Sequence, residues 1–235
     1  YYFQVMSHGI LLGYAPQCGF SKLFDTNDDP RLSYMYNVNT DFTFTTTNYV
    51  EDEYVGKGLV GKYFDVPDAY KSLNEALFHA GIQNNVHVKL KKINAETFTP
   101  DDCADVDGIL VPGGFGVRGV AGKIAAAGYA RENRVPYMGI CLGMQVAVIE
   151  FARNVLGIAD ADSTEFNKSA TPIINIMADH DAADMGGTLR LGAYPCVIVP
   201  DSRAYEIYGT ENISERHRHR YEMDVTWREK FEAAG

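Results

Sequence analysis

Long apolar runs are missing from this sequence, and their absence sets the first bounds. Ile10 to Tyr14 is too short for a secretory signal and no segment approaches the length needed to cross a bilayer, so a soluble, cytoplasmic protein is expected, with no membrane partner. Cysteine is scarce too. Cys18, Cys103, Cys141 and Cys196 show no paired close spacing, which argues against a disulfide framework or a zinc site and for reduced thiols; no metal is expected. Positive charge is in deficit: 21 Lys and Arg face 31 Asp and Glu, and a formal net charge of -10 speaks against nucleic acid or an anionic membrane as a partner. A phosphate-binding loop is lacking as well, because Gly122-Lys123 is followed by Ile124 and no glycine stands five positions before Gly122.

What is present suits one domain with a sizeable core, since 46% of the 235 residues are apolar. From residue 57 onward, strand-like and helix-like segments alternate. Leu59 to Tyr63 reads as a first strand; Tyr70, Leu73, Leu77 and Ala80 line a helix that Asp68 caps and Gly81 ends. Val86 to Ile93, Val106 to Val111 and Val135 to Ile140 read as further strands, Gly119 to Glu132 as a helix, and Met144 to Leu156 as another, with Met144, Val148, Phe151 and Val155 at helical spacing. The expected fold is therefore α/β, a mostly parallel sheet with helices on both faces. Residues 1–56 stand apart as an N-terminal extension of unknown role. Asp41 to Thr47 has strand-like composition there, but no motif with chemistry appears.

Two glycine-rich junctions carry the chemistry. Gly139-Ile140-Cys141-Leu142-Gly143-Met144-Gln145 places a cysteine between two glycines where a strand turns into a helix, the backbone a nucleophile elbow requires. Helix-start N–H groups there would stabilise a thiolate and lower the cysteine pKa. A small buried core cysteine reads equally well from the elbow alone. Gly108 to Val111 followed by Pro112-Gly113-Gly114-Phe115-Gly116 shifts the balance, because an apolar strand ending in a glycine loop offers free backbone N–H groups as an oxyanion hole. Elbow and loop together suggest acyl transfer, and both fall at carboxyl ends of strands, where open α/β sheets bind ligands. Gly114, Gly116 and Gly119 nominally match a dinucleotide fingerprint, but the acidic ribose partner about 20 residues on is not evident.

The basic run Arg216-His217-Arg218-His219-Arg220 is flanked by Glu215 and Glu222. As one extended strand it would put its arginines on one face and its histidines on the other, which suits a lid over a carboxylate better than a nucleic-acid contact.

From about Leu59 onward the chain resembles the class I glutamine amidotransferase domain of CTP synthases. The resemblance rests on Val60-Gly61-Lys62-Tyr63, Pro67 to Tyr70, Leu110 to Gly116 with Arg118-Gly119, Gly139 to Gln145, Glu150 to Gly157, Ser163-Thr164-Glu165-Phe166, Met185 to Gly192 and Glu215 to Glu222. It implies a flavodoxin-like fold in which Cys141 attacks the side-chain amide of L-glutamine, forms a thioester and releases ammonia to a synthase domain that converts UTP to CTP. No cofactor is implied for this domain; ATP and Mg would belong to the synthase domain, and the full enzyme would be a homo-oligomer.

The same resemblance assigns roles to residues. Gly114 would supply oxyanion and substrate contacts, with Gly113 and Phe115 shaping the loop; Leu142 would add its N–H beside Gly143 of the elbow; Gln145 would line the pocket, Glu165 bind the glutamine amino group, and Arg220 with Tyr221 hold the α-carboxylate end. One expected element is missing. The family's histidine base and orienting glutamate lie on a His-Pro-Glu segment, and none of the six histidines here precedes a proline, so little activity is expected from these residues alone. A non-catalytic glutamine-binding or docking module of the same fold is the alternative, and a peptidase-like relative is disfavoured by Glu165 in its Ser-Thr-Glu-Phe setting.

Overall fold

A computed structural model describes residues 4–6, 10–13, 54–66, 68–84, 86–168, 170–176, 193–216 and 219–235. The central sheet uses β1 (Gln4–Met6), β2 (Ile10–Gly13), β3 (Tyr54–Gly61), β4 (His87–Asn94), β5 (Gly108–Val111) and β6 (Tyr137–Ile140). Their order is β1-β2-β6-β5-β3-β4. All its pairings are parallel except β1 with β2, as the alternation of strands and helices requires. β2, from the N-terminal extension, lies along β6, the strand that leads to Cys141, with Gly13 opposite Ile140.

Side-chain alternation sorts the core into two layers. Val60, Ile109, Val111 and Tyr137 face the cluster formed with α2 (Val120–Asn133) and α3 (Leu142–Asn154). Leu59 and Leu110 face the other way, onto Tyr70, Leu73 and Leu77 of the segment that forms α1 (Lys71–Gln83). Helices therefore cover both faces of the sheet, as expected. α3 is the central helix, with every residue from Leu142 to Ala152 buried. A three-stranded sheet of β11 (Tyr221–Met223), β8 (Thr171–Ile176) and β7 (Ala161–Ser163) and a hairpin of β9 (Ala193–Val197) with β10 (Asn212–Arg216) complete the strands among the described residues.

Several element boundaries differ from the sequence reading. β3 starts at Tyr54 rather than Leu59. Asp68 does not cap α1 with its side chain; its carbonyl accepts the Lys71 N–H at 3.3 Å. Gly81 does not end that helix either. It lies inside α1 because a Cβ there would stand 2.7 Å from the Val86 carbonyl, so the glycine serves close packing and Asn84 closes the helix. α3 begins at Leu142, two residues before Met144. The strand-like Asp41 to Thr47 falls outside the described residues.

One buried ion pair ties the two helices behind the elbow. Glu150, 1% exposed, accepts from Arg131 Nε at 3.2 and 3.1 Å, from Arg131 Nη2 at 2.9 Å and from Asn154 Nδ2 at 2.9 Å. Removing the carboxylate leaves the guanidinium short of its partner in a mostly buried site. Glu150→Ala is therefore expected to lower unfolding free energy by about 3 kcal/mol, measured by urea denaturation.

Candidate active site

Three backbone constraints place Cys141. It sits between β6 and α3 at φ 56° and ψ -111°, a conformation costly for a side-chain-bearing residue and typical of a strained strand-to-helix turn. The flanking glycines are needed for close approach: a Cβ on Gly139 would lie 2.5 Å from Gly143 backbone atoms, and one on Gly143 would lie 1.9 Å from the Val111 carbonyl. Tyr137 secures the same turn, its buried hydroxyl donating to the Gly143 carbonyl at 2.7 Å. Burial, reinforced by the Glu150 charge, pushes the Tyr137 phenol well above its usual range, so it is a neutral donor.

Strand β5 delivers the opposing loop. A Cβ placed on Gly113 would lie 3.3 Å from Cys141 Cβ and 3.6 Å from its Sγ, so loop and nucleophile are in near contact. The backbone N–H groups of Leu142 and Gly114 both act on the sulfur, the pair of donors an oxyanion hole needs. The expected lowering of the Cys141 pKa is not found. Burial pushes the thiol up and the Glu165 charge adds to that, outweighing the two N–H groups and the charge of Lys123. The elbow thus aims the sulfur without ionising it.

Lys62 holds the loop from the end of β3. Its Nζ donates to the carbonyls of Phe115 at 2.6 Å, Gly116 at 3.3 Å and Arg118 at 2.9 Å, while Tyr70 Oη accepts its backbone N–H at 3.0 Å. Phe115 contributes through its backbone, because its N–H donates to Tyr63 Oη at 3.4 Å and its side chain is 81% exposed. A neutral replacement deprives three carbonyls of one cationic clamp. Lys62→Met is expected to slow alkylation of Cys141 by a glutamine-like electrophile about tenfold, with less effect on a small neutral alkylator, as read by timed mass spectrometry.

The remaining candidates divide. Glu165, after β7, accepts the Gly116 N–H at 3.2 Å and so adjoins the oxyanion loop. Gln145 is buried in the first turn of α3, and its Nε2 donates to the Tyr221 carbonyl at 3.0 Å, which brings two predicted residues together. Arg220 is half-buried just before β11. The run from Arg216 to Arg220 is not one strand: Arg216 ends β10, β11 starts at Tyr221, and His217 and Arg218 lie outside the described residues, as does Met185 to Gly192.

Comparison with known proteins decides what this arrangement belongs to. The family model described as Glutamine amidotransferase class-I matches residues 65–235. The chain belongs to the class I glutamine amidotransferases. A CTP synthase from Nitratidesulfovibrio vulgaris (strain DP4) is 53% identical over 195 residues, which cover 76% of this chain and 36% of that relative. The chain therefore spans about a third of that relative's length. Among solved structures, the glutaminase domain of Trypanosoma brucei CTPS with bound acivicin matches with a TM-score of 0.71 and 41% identity, covering 77% of this chain and 72% of that one. The amidotransferase resemblance and its flavodoxin-like fold are thus met, in the CTP synthase branch of the family.

Sequence reasoning missed two lysines of this amidotransferase domain. Lys62 was visible only as part of a family motif, and Lys123 only as a failed phosphate loop. Neither position announces burial, because lysines usually face water. Among the described residues no group of three or more His, Cys, Asp or Glu is placed to hold a metal, and no helix is long and apolar enough to cross a membrane.

Proposed function

We propose that this domain hydrolyses L-glutamine through Cys141 and supplies the ammonia to a synthase domain that converts UTP to CTP with ATP and Mg. The observation that carries this reading is the Cys141 sulfur facing the N–H groups of Leu142 and Gly114 at a strained elbow. In the first step the thiolate attacks the side-chain amide carbon, and the two N–H groups receive the developing oxyanion. Collapse of that adduct breaks the C–N bond, the nitrogen takes up the equivalent of the proton that the Cys141 thiol gave to solvent and leaves as ammonia, and a glutamyl thioester remains. Water then hydrolyses the thioester to glutamate. Glu165 is assigned to the substrate amino group and Arg220 with Tyr221 to its carboxylate end, with Gln145 lining the pocket. Residues 57–235 are assigned to this domain and residues 1–56 to an N-terminal extension, whose β1 and β2 join the central sheet. The complete enzyme is read as a cytoplasmic homo-oligomer, and no cofactor is assigned to this domain.

A binding module without turnover is the second reading, favoured by the raised pKa of Cys141. Two measurements separate them. A glutamine-mimicking electrophile is expected to label Cys141 ahead of Cys18, Cys103 and Cys196, with protection by excess glutamine; equal labelling of the four rejects the glutaminase reading. Ammonia release at steady state near background, with labelling intact, supports capture without a positioned base.

A further inference from the structure

Among the described residues Lys123 heads the large fully buried side chains, 0% exposed, and the chemistry above leaves it idle. It stands in the first turn of α2, where the positive end of the helix dipole disfavours a cation. Among the described residues no carboxylate pairs with it; its Nζ donates to the Pro112 carbonyl at 2.9 Å. Lys62, at the end of β3, packs against the loop that Pro112 opens, and its charge adds to the burial that lowers the Lys123 pKa to about 8. A buried, unpaired ammonium beside a second cation is a cost to folding that a methionine would not carry.

Its location explains what offsets the cost. A Cβ on Gly114 would meet Lys123 Nζ at 3.5 Å and Lys62 Cε at 3.2 Å, so the ammonium lies directly beneath the residue whose N–H acts on Cys141. Pro112, its acceptor, opens that loop. The charged groups acting on Cys141 are Lys123, which favours the thiolate, and Glu165, which opposes it. We infer that Lys123 is a positioning charge for the nucleophile, a buried ammonium under the Gly113-Gly114 loop that stabilises the Cys141 thiolate across the loop while anchoring the loop at Pro112. The two groups share their ionisation, so each raises the population of the other's charged form. The inference rests on Cys141 being the nucleophile, and glutamine protection of Cys141 in the parent protein tests that point separately.

The experiment is the pH profile of Cys141 alkylation by iodoacetamide, followed by peptide mapping in the parent, Lys123→Met and Lys123→Gln, with Cys103 as an internal control. Both variants are expected to alkylate about tenfold more slowly at pH 7, with the profile moved up by about one pH unit, and to melt no lower than the parent at that pH. The sign follows from linkage: with Lys123 titrating near 8 when folded and near 10.5 when unfolded, the unfolded chain binds more protons between those values. The Lys123 contribution to stability therefore rises with pH across that window in the parent and is missing in the methionine variant, so the parent gains on the variant as pH rises from about 8 to 10.5. An unchanged profile in folded Lys123→Met overturns the inference. So does a parent-like profile in Lys123→Gln, because glutamine keeps a donor for Pro112 without the charge. Should neither variant fold, Cys141→Ala carrying 13C-labelled lysine decides: Lys123 must titrate at lower pH than in the parent, and an identical titration overturns the inference.

Discussion

Cys141→Ala abolishes covalent capture of a glutamine-like electrophile at this site, while unfolding free energy stays within about 1 kcal/mol of the parent. The loss is complete because the bond-forming atom is gone and neither Cys103 nor Cys196, both buried, is placed at an oxyanion loop. The fold survives because the elbow is held by backbone packing at Gly139 and Gly143 and by the Tyr137 hydroxyl, none of which uses the sulfur. With the synthase domain present, the same variant is expected to lose glutamine-dependent CTP formation and keep formation from free ammonia. In the parent, the raised thiol pKa makes capture faster as pH increases, close to tenfold per unit below the pKa. Capture that stays constant between pH 6 and 8 shows the thiol already ionised and removes the basis for a buried, protonated resting nucleophile.

β3, β5 and β6 were legible as short apolar runs bounded by glycine or proline, and Gly108 to Val111 is buried at every position, whereas β1 and β2 of the N-terminal extension went unread. The elbow was legible only together with the Gly113-Gly114 loop, because a cysteine between two glycines reads equally well as a small core residue. Its helix start was read two residues late because Leu142 and Gly143 belong to the apolar run that also suits a strand end. The small sheet of β7, β8 and β11 went unread, since strands of three to six residues with irregular alternation give little period to detect. Charge is the least legible quantity of all. The thiol pKa depends on burial, which dominates in this site over the helix start that sequence alone reveals. Lys62 and Lys123 become site residues only when β3 and α2 converge under the loop.

Close packing under the loop makes the glycines of the elbow among the most sensitive of the described positions. Gly143→Ala is expected to cost about 4 kcal/mol or more, above the usual penalty of inserting a methyl group into a packed core. Its Cβ would fall 1.9 Å from the Val111 carbonyl oxygen and 3.1 Å from Val111 Cβ, so relief requires moving either β5 or the first turn of α3. Neither is free to move. β5 is paired on both sides, with β3 and β6, and α3 is buried along its length. Any shift also parts the Leu142 N–H from the sulfur and the Tyr137 hydroxyl from the Gly143 carbonyl, so capture at Cys141 falls together with stability. Gly157→Ala is the control, since that glycine has φ 73° but nothing within 4 Å of its Cβ position, and its cost is the backbone strain alone, about 1–2 kcal/mol. Urea denaturation of the two variants measures the difference. Equal destabilisation by both sinks the claim that close approach at Val111, rather than backbone freedom, requires glycine at the elbow.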